Sequence, residues 1–304
     1  MDLERGGDRR ATAMTTATSV PPLFTELVDD AGLFPPEALT MAAASTRHRR
    51  DKAAGHPVLT HRFLCMSEEL PALLAAVGPE DRFRLGLITP LDTEAVYRAL
   101  ARIADDPRIE LALVEGPLPD GPDPVAAARR AVSVLGALPE GVPGHVEVPL
   151  TGDQPSVPAV FRVLAEGGRA AKVRCGGLRP ELFPSCERLG AFVHACVTGG
   201  VPFKATAGLH HAVRHHDERT GFTHHGFLNL LLAVCRLVDG GTEDATVAAL
   251  SSTDTTALVA EARQVSPATA STARNLFVSY GSCSTSEPIE DLRALGLLAK
   301  EKAA

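Results

Sequence analysis

Cationic side chains occupy alternate positions in two apolar segments that are typical of β-strands. Lys172 and Arg174 alternate with alanine and valine in the first segment, and Lys204 and Thr206 alternate with phenylalanine and alanine in the second. Because successive strand residues face opposite sides of a sheet, these four side chains are expected to point into one interior. Buried charges are costly unless they are paired. The pattern therefore predicts either a structural ion network or a binding site for an anion.

Glu147 ends the preceding apolar segment and faces the same interior, where it is a partner for Lys172 or Arg174. An excess of cations indicates either an anionic ligand or a lysine whose pKa is depressed. A desolvated lysine beside other cations is suited to form an imine with a carbonyl compound. Lys204 is therefore the candidate imine nucleophile or electrostatic stabiliser, and Glu147 is the candidate that orients a lysine. Lys172, Arg174 and Thr206 are candidate substrate-binding residues.

The segment Lys204-Ala205-Thr206-Ala207-Gly208 resembles the Lys-Thr-Ser-Thr-Gly strand of the deoxyribose-phosphate aldolases, which are class I aldolases with a β/α-barrel fold. The resemblance covers about five of 304 residues and implies that Lys204 forms the imine. In that family a further lysine follows on the next strand, whereas here Lys172 lies on the preceding one. The Lys-x-Arg-x-Gly-Gly and Gly-Leu-His-His segments also resemble an actinobacterial family, and that resemblance implies no activity.

Histidines are concentrated directly after this segment, with six of the eleven falling within sixteen positions. His210 or His211 is a candidate general acid/base, because histidine titrates near neutrality. In the alternative interpretation four histidines bind one divalent metal ion (zinc, iron or manganese), and these are His210, His211, His215 and His225. His211 and His215 have the i,i+4 spacing of a helical metal pair. A polar loop with hydrogen-bonding histidines is the third interpretation.

Two further segments carry candidate ligand-binding groups. The last apolar segment ends in a Gly/Ser turn, which can bind phosphate or carboxylate through backbone amides, and Ser282 and Ser284 are its candidate residues. Cys283 in the same turn is a candidate reactive thiol. Asp29 and Asp30 near the N-terminus are candidate ligands or bases.

These residues need a scaffold that brings strand ends together, and the chain has the alternation of strands and helices that is typical of one. Short apolar segments alternate with helical segments, in units of roughly 25 to 35 residues that are typical of βα repeats. Glycine or proline stands at nearly every junction. Seven strands are expected, at 61–66, 82–89, 109–115, 144–149, 170–175, 201–207 and 276–280.

This alternation predicts an α/β fold, specifically a TIM-type (β/α)8 barrel. We expect its seventh unit to be irregular, because residues 226–274 have a wholly helical pattern. An open, doubly wound parallel sheet is the alternative, although no Gly-x-Gly-x-x-Gly sequence follows the first strand. We expect a disordered tail at 1–19, an N-terminal helical arm at 20–56 and the barrel domain at 57–304.

The composition narrows the classes of function. A net charge of −7 without a basic stripe argues against binding of nucleic acid. No apolar run reaches the ~18 residues of a membrane span, and the start lacks the apolar core of an export signal, so a cytoplasmic protein is expected. None of the six scattered cysteines forms a Cys-x-x-Cys pair, which fits reduced thiols.

Three functions remain open. The first is a barrel enzyme of lyase or aldolase type that acts on a small anionic carbonyl compound through Lys204 and a histidine, without a cofactor. The second is a metal-dependent hydrolase, lyase or oxygenase that uses the histidine cluster. The third is a non-catalytic ligand-binding accessory protein. The expected partner is the small anionic substrate, and a homo-oligomer is left open.

Overall fold

The computed structural model describes residues 20–150, 157–218 and 220–299, and its strands form a closed barrel. The strands are β1 (Val28–Asp30), β2 (Leu59–Met66), β3 (Phe83–Ile88), β4 (Ile109–Pro117), β5 (Gly144–Glu147), β6 (Ala170–Arg174), β7 (Phe203–Thr206), β8 (His215–Asp217), β9 (Phe222–His224) and β10 (Phe277–Ser282). Eight of them close in the order β1-β10-β7-β6-β5-β4-β3-β2, and every pair in this ring is parallel. The predicted (β/α)8 barrel is therefore confirmed.

Helices follow the barrel strands and cover the outside of the ring. They are α1 (Met41–Ala54), α2 (Leu70–Ala76), α3 (Thr93–Ile103), α4 (Pro124–Leu135), α5 (Val157–Glu166), α6 (Cys186–Gly199), α7 (Phe227–Val238), α8 (Glu243–Ser251), α9 (Thr255–Gln264), α10 (Pro267–Leu276) and α11 (Glu287–Ala294). The unit that begins with β7 is irregular, as predicted, because the antiparallel hairpin β8–β9 and helices α7 to α10 all precede β10. No helix in the described ranges is both long and apolar enough to cross a membrane.

The eighth barrel strand lies where the sequence predicts a helical arm, and the prediction for 20–56 is wrong there. Val28 of β1 pairs with Tyr280 of β10 on one side and with Leu59 of β2 on the other. A strand of three residues is too short to show a period of two, and all three of its residues are buried. The barrel therefore begins well before residue 57, while the predicted tail at 1–19 lies outside the described residues.

The predicted alternation of faces holds along β7. Phe203 and Ala205 pack outward into the apolar layer between strands and helices, where Phe203 stacks on Phe277 at 5.1 Å between ring centroids. Phe192 of α6 closes the same layer against Phe203 at 5.4 Å. Lys204, between two outward residues, therefore points into the barrel.

A buried asparagine connects the helical insertion to the histidine-rich segment. The amide nitrogen of Asn229 in α7 donates to the carbonyl oxygens of Ala249 and Ser252 at 2.7 and 2.8 Å. Its side-chain oxygen accepts from the backbone N–H of Arg214 at 2.8 Å. Because Asn229 is fully buried, these three hydrogen bonds take the place of hydrogen bonds to water. They hold α7, the end of α8 and the segment before β8 in one arrangement.

Candidate functional site

A cavity of about 1000 Å³ opens at the C-terminal ends of the barrel strands. Each strand of the ring contributes a lining residue at or just beyond its end, and these are Ala31, Met66, Ile88, Pro117, Glu147, Arg174, Thr206 and Ser282. Active sites of TIM barrels are built at this face. The barrel thus gathers residues from the whole chain around one concave surface.

Beneath the cavity, charged side chains join into a network at the centre of the barrel. The ammonium nitrogen of Lys204 lies 2.8 Å from Asp29 Oδ2 and 2.7 Å from Glu115 Oε2. These three side chains are fully buried. The other oxygen of Glu115 lies 3.0 Å from the ammonium nitrogen of Lys172. Glu115 therefore bridges the two lysines.

Glu147 extends this network to the cavity. Its two carboxylate oxygens lie 3.0 Å from Lys172 Nζ and 3.1 Å from Arg174 Nε. The expected pairing of Glu147 with Lys172 or Arg174 is confirmed, since it contacts both. Lys172 is 3% exposed and lines the cavity, whereas the Arg174 side chain is 43% exposed. A ligand can thus reach Lys172 at the floor and Arg174 above it, and Arg179 also lines the cavity.

The two aspartates of β1 point in opposite directions. Asp29 faces the interior, where it pairs with Arg62 Nε at 2.8 Å and accepts hydrogen bonds from Thr60 at 2.7 Å and Ser279 at 2.9 Å. Asp30 faces α1, where its carboxylate lies 3.0 Å from His48 Nδ1. Asp29 therefore belongs to the buried network, and neither carboxylate is among the residues that line the cavity.

Mutual pairing keeps the network ionised. Burial alone would raise the pKa of Glu115, but the charges of Lys172 and Lys204 outweigh it and lower this pKa to about 2. Burial would likewise lower the pKa of Lys172, but Glu115 and Glu147 raise it above the ordinary lysine value. Burial, followed by the charge of Lys204, lowers the pKa of His145 to about 3, so this histidine is neutral. The shift at Lys172 is opposite to the one that imine formation requires.

Lys204 does not reach the cavity. It is fully buried, it lies between two carboxylates, and it is not one of the described residues that line the cavity. Sequence reasoning placed it correctly in the barrel interior but missed its position below the floor. The sequence around β1 has a helical pattern, so it does not predict that Asp29, the carboxylate that neutralises this lysine, faces the barrel interior.

His210 lines the cavity beside an acidic helix end. Its Nδ1 lies 3.3 Å from Glu287 Oε2 and 3.7 Å from the sulfur of Cys283. His211 lies 3.3 Å from Asp291 Oδ2 and is more exposed. Sequence reasoning missed Glu287 and Asp291. An acidic residue in the first turn of a helix, as Glu287 is, already has a local explanation in the helix dipole.

The four histidines of the predicted metal site do not converge. His225 is 1% exposed, its Nε2 lies 2.7 Å from the carbonyl oxygen of Pro184, and its Nδ1 accepts from Arg214 at 3.2 Å. Both of its ring nitrogens are therefore engaged away from the cavity. His211 and His215 touch edge to face at 4.8 Å, but the chain between them is not helical. Within the described ranges no group of three or more His, Cys, Asp or Glu side chains is placed to hold a metal ion.

The Gly/Ser turn after β10 is divided between the cavity and a helix cap. Thr206 and Ser282 line the cavity as predicted candidates for substrate contact. Ser284 instead accepts a hydrogen bond from the backbone N–H of Glu287 at 3.3 Å and is not among the described lining residues. Glu287 lines the cavity at this point, and its charge opposes an anion at the start of α11. The predicted anion-binding turn is therefore not supported at Ser284.

No known protein-family model matches the chain, and no curated protein matches it. The chemistry of the cavity is therefore the basis on which a function can be inferred.

Proposed function

We propose that this protein is a barrel enzyme of lyase type that acts on an anionic carbonyl compound bound over Lys172. One observation carries the proposal: an ammonium group held by two carboxylates at the floor of the strand-end cavity, next to the exposed guanidinium of Arg174. Such a pair of cations suits a substrate with both a carboxylate or phosphate and a carbonyl oxygen.

The charge balance of the network supports an anionic group at the floor of the cavity, whereas the acidic lining residues Asp217, Glu218 and Glu287 belong to the hairpin segment and to the start of α11. Its cations are Arg62, Lys172, Arg174 and Lys204, and its carboxylates are Asp29, Glu115 and Glu147. Four positive groups against three negative ones leave one positive charge in excess among these residues. Because Lys204 is fully buried, we assign the excess to the cavity side, at Lys172 and Arg174.

Lys172 is proposed to stabilise the negative charge that develops on the carbonyl oxygen when a proton or a carbon group leaves the neighbouring carbon. A cation that is already fixed in place needs no reorganisation during the reaction. Glu115 and Glu147 hold the ammonium group from two sides and raise its pKa, so it stays charged at neutral pH. Lys204 is fully buried and is not among the described residues that line the cavity, so we favour electrostatic stabilisation by Lys172 over an imine on Lys204.

His210 is proposed to move the proton at the reacting carbon. It lines the same cavity, and the Glu287 carboxylate 3.3 Å from its Nδ1 orients the ring. The opposite nitrogen, Nε2, is then the one that exchanges a proton with the substrate. Cys283 is a neighbour of this pair, and burial raises the pKa of its thiol, which argues against a thiolate nucleophile.

Deuterium exchange tests the proposal without knowledge of the full reaction. Purified protein in D2O would be incubated with a panel of 2-oxo acids and phosphorylated hydroxyketones, and loss of the proton signal next to the carbonyl would be followed by NMR. We expect exchange with at least one compound, and rates about 100-fold or more lower for Lys172→Met and His210→Gln. Lys52→Met, which changes an exposed lysine on α1, is the matched control and should exchange at the wild-type rate.

Two outcomes would contradict parts of the proposal. Absence of exchange with every compound would refute the enolate chemistry itself. A stable adduct on Lys172 or Lys204 after borohydride treatment would replace electrostatic stabilisation by imine catalysis. Thermal unfolding of each variant separates loss of activity from loss of the fold.

A further inference from the structure

Part of the cavity wall is apolar, although the floor and the histidine-rich side are charged or polar. Large apolar side chains reach it from β2 and β3 and from the segments after β1 and β6, and these are Phe34, Leu64, Met66, Ile88, Leu178 and Leu182. Small polar substrates need no such wall, because their groups are satisfied by hydrogen bonds and charges. The wall is therefore a feature that the proposed chemistry does not use.

Two of these side chains are exposed in a way that needs an explanation. Within the described ranges the exposed large hydrophobic residues are Met66, Tyr97 and Leu178, with 41, 56 and 75% of their surface accessible. Met66 and Leu178 both line this cavity, whereas Tyr97 lies on α3, away from it. Exposed apolar groups that gather at one concave site are typical of a surface that a ligand covers.

The volume of the cavity agrees with a ligand larger than the predicted small carbonyl compound. About 1000 Å³ is at the upper end of the range for sites that enclose drug-sized ligands. A compound of roughly three to five carbons would cover Lys172 and Arg174 at the floor and leave the apolar wall in contact with water, at a cost that grows with its area.

We infer that the ligand is amphipathic, with an anionic carbonyl head over Lys172 and Arg174 and an apolar substituent of about six or more carbons against the wall. The chemistry of the head rests on the proposed function, whereas the apolar substituent rests on the wall and the volume alone.

The order of strands gives the substituent a direction. In the ring of eight, β3 lies directly across from β7, and β2 is next to β3. Ile88 and Met66 end β3 and β2, while His210 follows β7 and contacts Glu287 beyond β10. A substituent that extends toward Ile88 and Met66 therefore leaves the histidine side free for proton transfer at the head.

Calorimetric titration with straight-chain 2-oxo acids of three, six, eight and ten carbons tests the inference. A buried methylene strengthens binding by up to about fourfold, so the eight-carbon acid should bind ~100-fold or more tightly than the three-carbon acid. Met66→Gln and Ile88→Gln should weaken the dependence on chain length and leave the affinity for the three-carbon acid unchanged. Lys172→Met should weaken every acid by a similar factor.

Tyr97→Gln is the matched control, because it removes an exposed apolar side chain outside the cavity and should leave the dependence on chain length unchanged. Alkylammonium ions of equal length test for general adsorption and should bind more weakly than the acids. Affinity that does not depend on chain length, or equally tight binding of the alkylammonium ions, would overturn the inference. If affinity depends on chain length but no deuterium exchange occurs, the proposed reaction is refuted and the amphipathic ligand is retained. If exchange occurs but affinity does not depend on chain length, the reaction is retained and the amphipathic ligand is refuted.

Discussion

Lys204→Met removes the cation that joins Asp29 and Glu115 at the centre of the barrel, and we expect it to destabilise the fold by about 3 to 5 kcal/mol. The methionine side chain fills a similar volume, so the change leaves the packing largely intact and isolates the charge. Asp29 and Glu115 stay fully buried and lose an ammonium group at 2.8 and 2.7 Å. Their remaining cationic partners are Arg62 and Lys172.

The pKa of Glu115 reflects the stabilisation that this carboxylate receives from Lys172 and Lys204 together. It is lowered from 4.5 to about 2 in the folded protein, and 1.36 kcal/mol per pKa unit converts this shift to about 3 kcal/mol. Because the folded pKa is depressed, this stability is present above about pH 4.5 and is lost as the pH falls toward 2. Lys204→Met raises the pKa of Glu115, so the variant should lose its stability at a higher pH than the wild type.

Urea unfolding followed by circular dichroism at pH 7 and pH 3.5 measures both effects. From an unfolding entropy of about 2.1 cal/mol/K per residue, a loss of 3 kcal/mol corresponds to roughly 5 °C in Tm for a chain of this length. The double variant Lys204→Met with Glu115→Gln removes one charge of each sign and leaves the Lys172–Glu147 and Arg62–Asp29 pairs. It should be at least about 1 kcal/mol more stable than the sum of the single changes predicts.

Two results would refute this reasoning. A loss below about 1 kcal/mol in Lys204→Met would mean that the two carboxylates do not depend on this cation. Strict additivity in the double variant would mean that Lys204 and Glu115 are not coupled. Lys52→Met, on the surface of α1, controls for the general effect of removing a lysine and should change stability by no more than about 0.5 kcal/mol.

Two further predictions concern residues that support the site. The pKa of His145 is about 3 in the folded protein instead of 6.5, so this residue should lower the free energy of unfolding by about 2 to 3 kcal/mol between pH 7 and pH 4.5. His145→Gln should flatten the plot of the urea midpoint against pH over this range. Equal slopes for the wild type and the variant would contradict this assignment. Asn229→Leu leaves three polar groups without their buried partner, which should lower the free energy of unfolding by about 3 kcal/mol. The same change should speed proteolysis between residues 208 and 226. Asn275→Leu on the surface of α10 is its control, and equal cleavage rates in the two variants would refute the role of Asn229.

Local sequence patterns predict correctly which faces of the strands the charged residues occupy. The alternation around Lys172, Arg174 and Lys204 places them inside the barrel, because a strand has a period of two whatever its neighbours are. The same periodicity located seven of the eight barrel strands, and the wholly helical pattern after residue 226 located the irregular unit. These properties depend on residues that are close together in the chain.

Which groups come into contact depends on how the strands close into the barrel. Closure of the barrel sets β1 beside β10, so that Asp29 accepts a hydrogen bond from Ser279, 250 residues away in sequence. The same closure surrounds Lys204 with carboxylates and leaves Lys172 at the cavity floor. His225 likewise turns toward Pro184, although it follows the other histidines closely in sequence. A local pattern specifies the face of a side chain, but its partners across the ring depend on how eight distant segments close around a common axis.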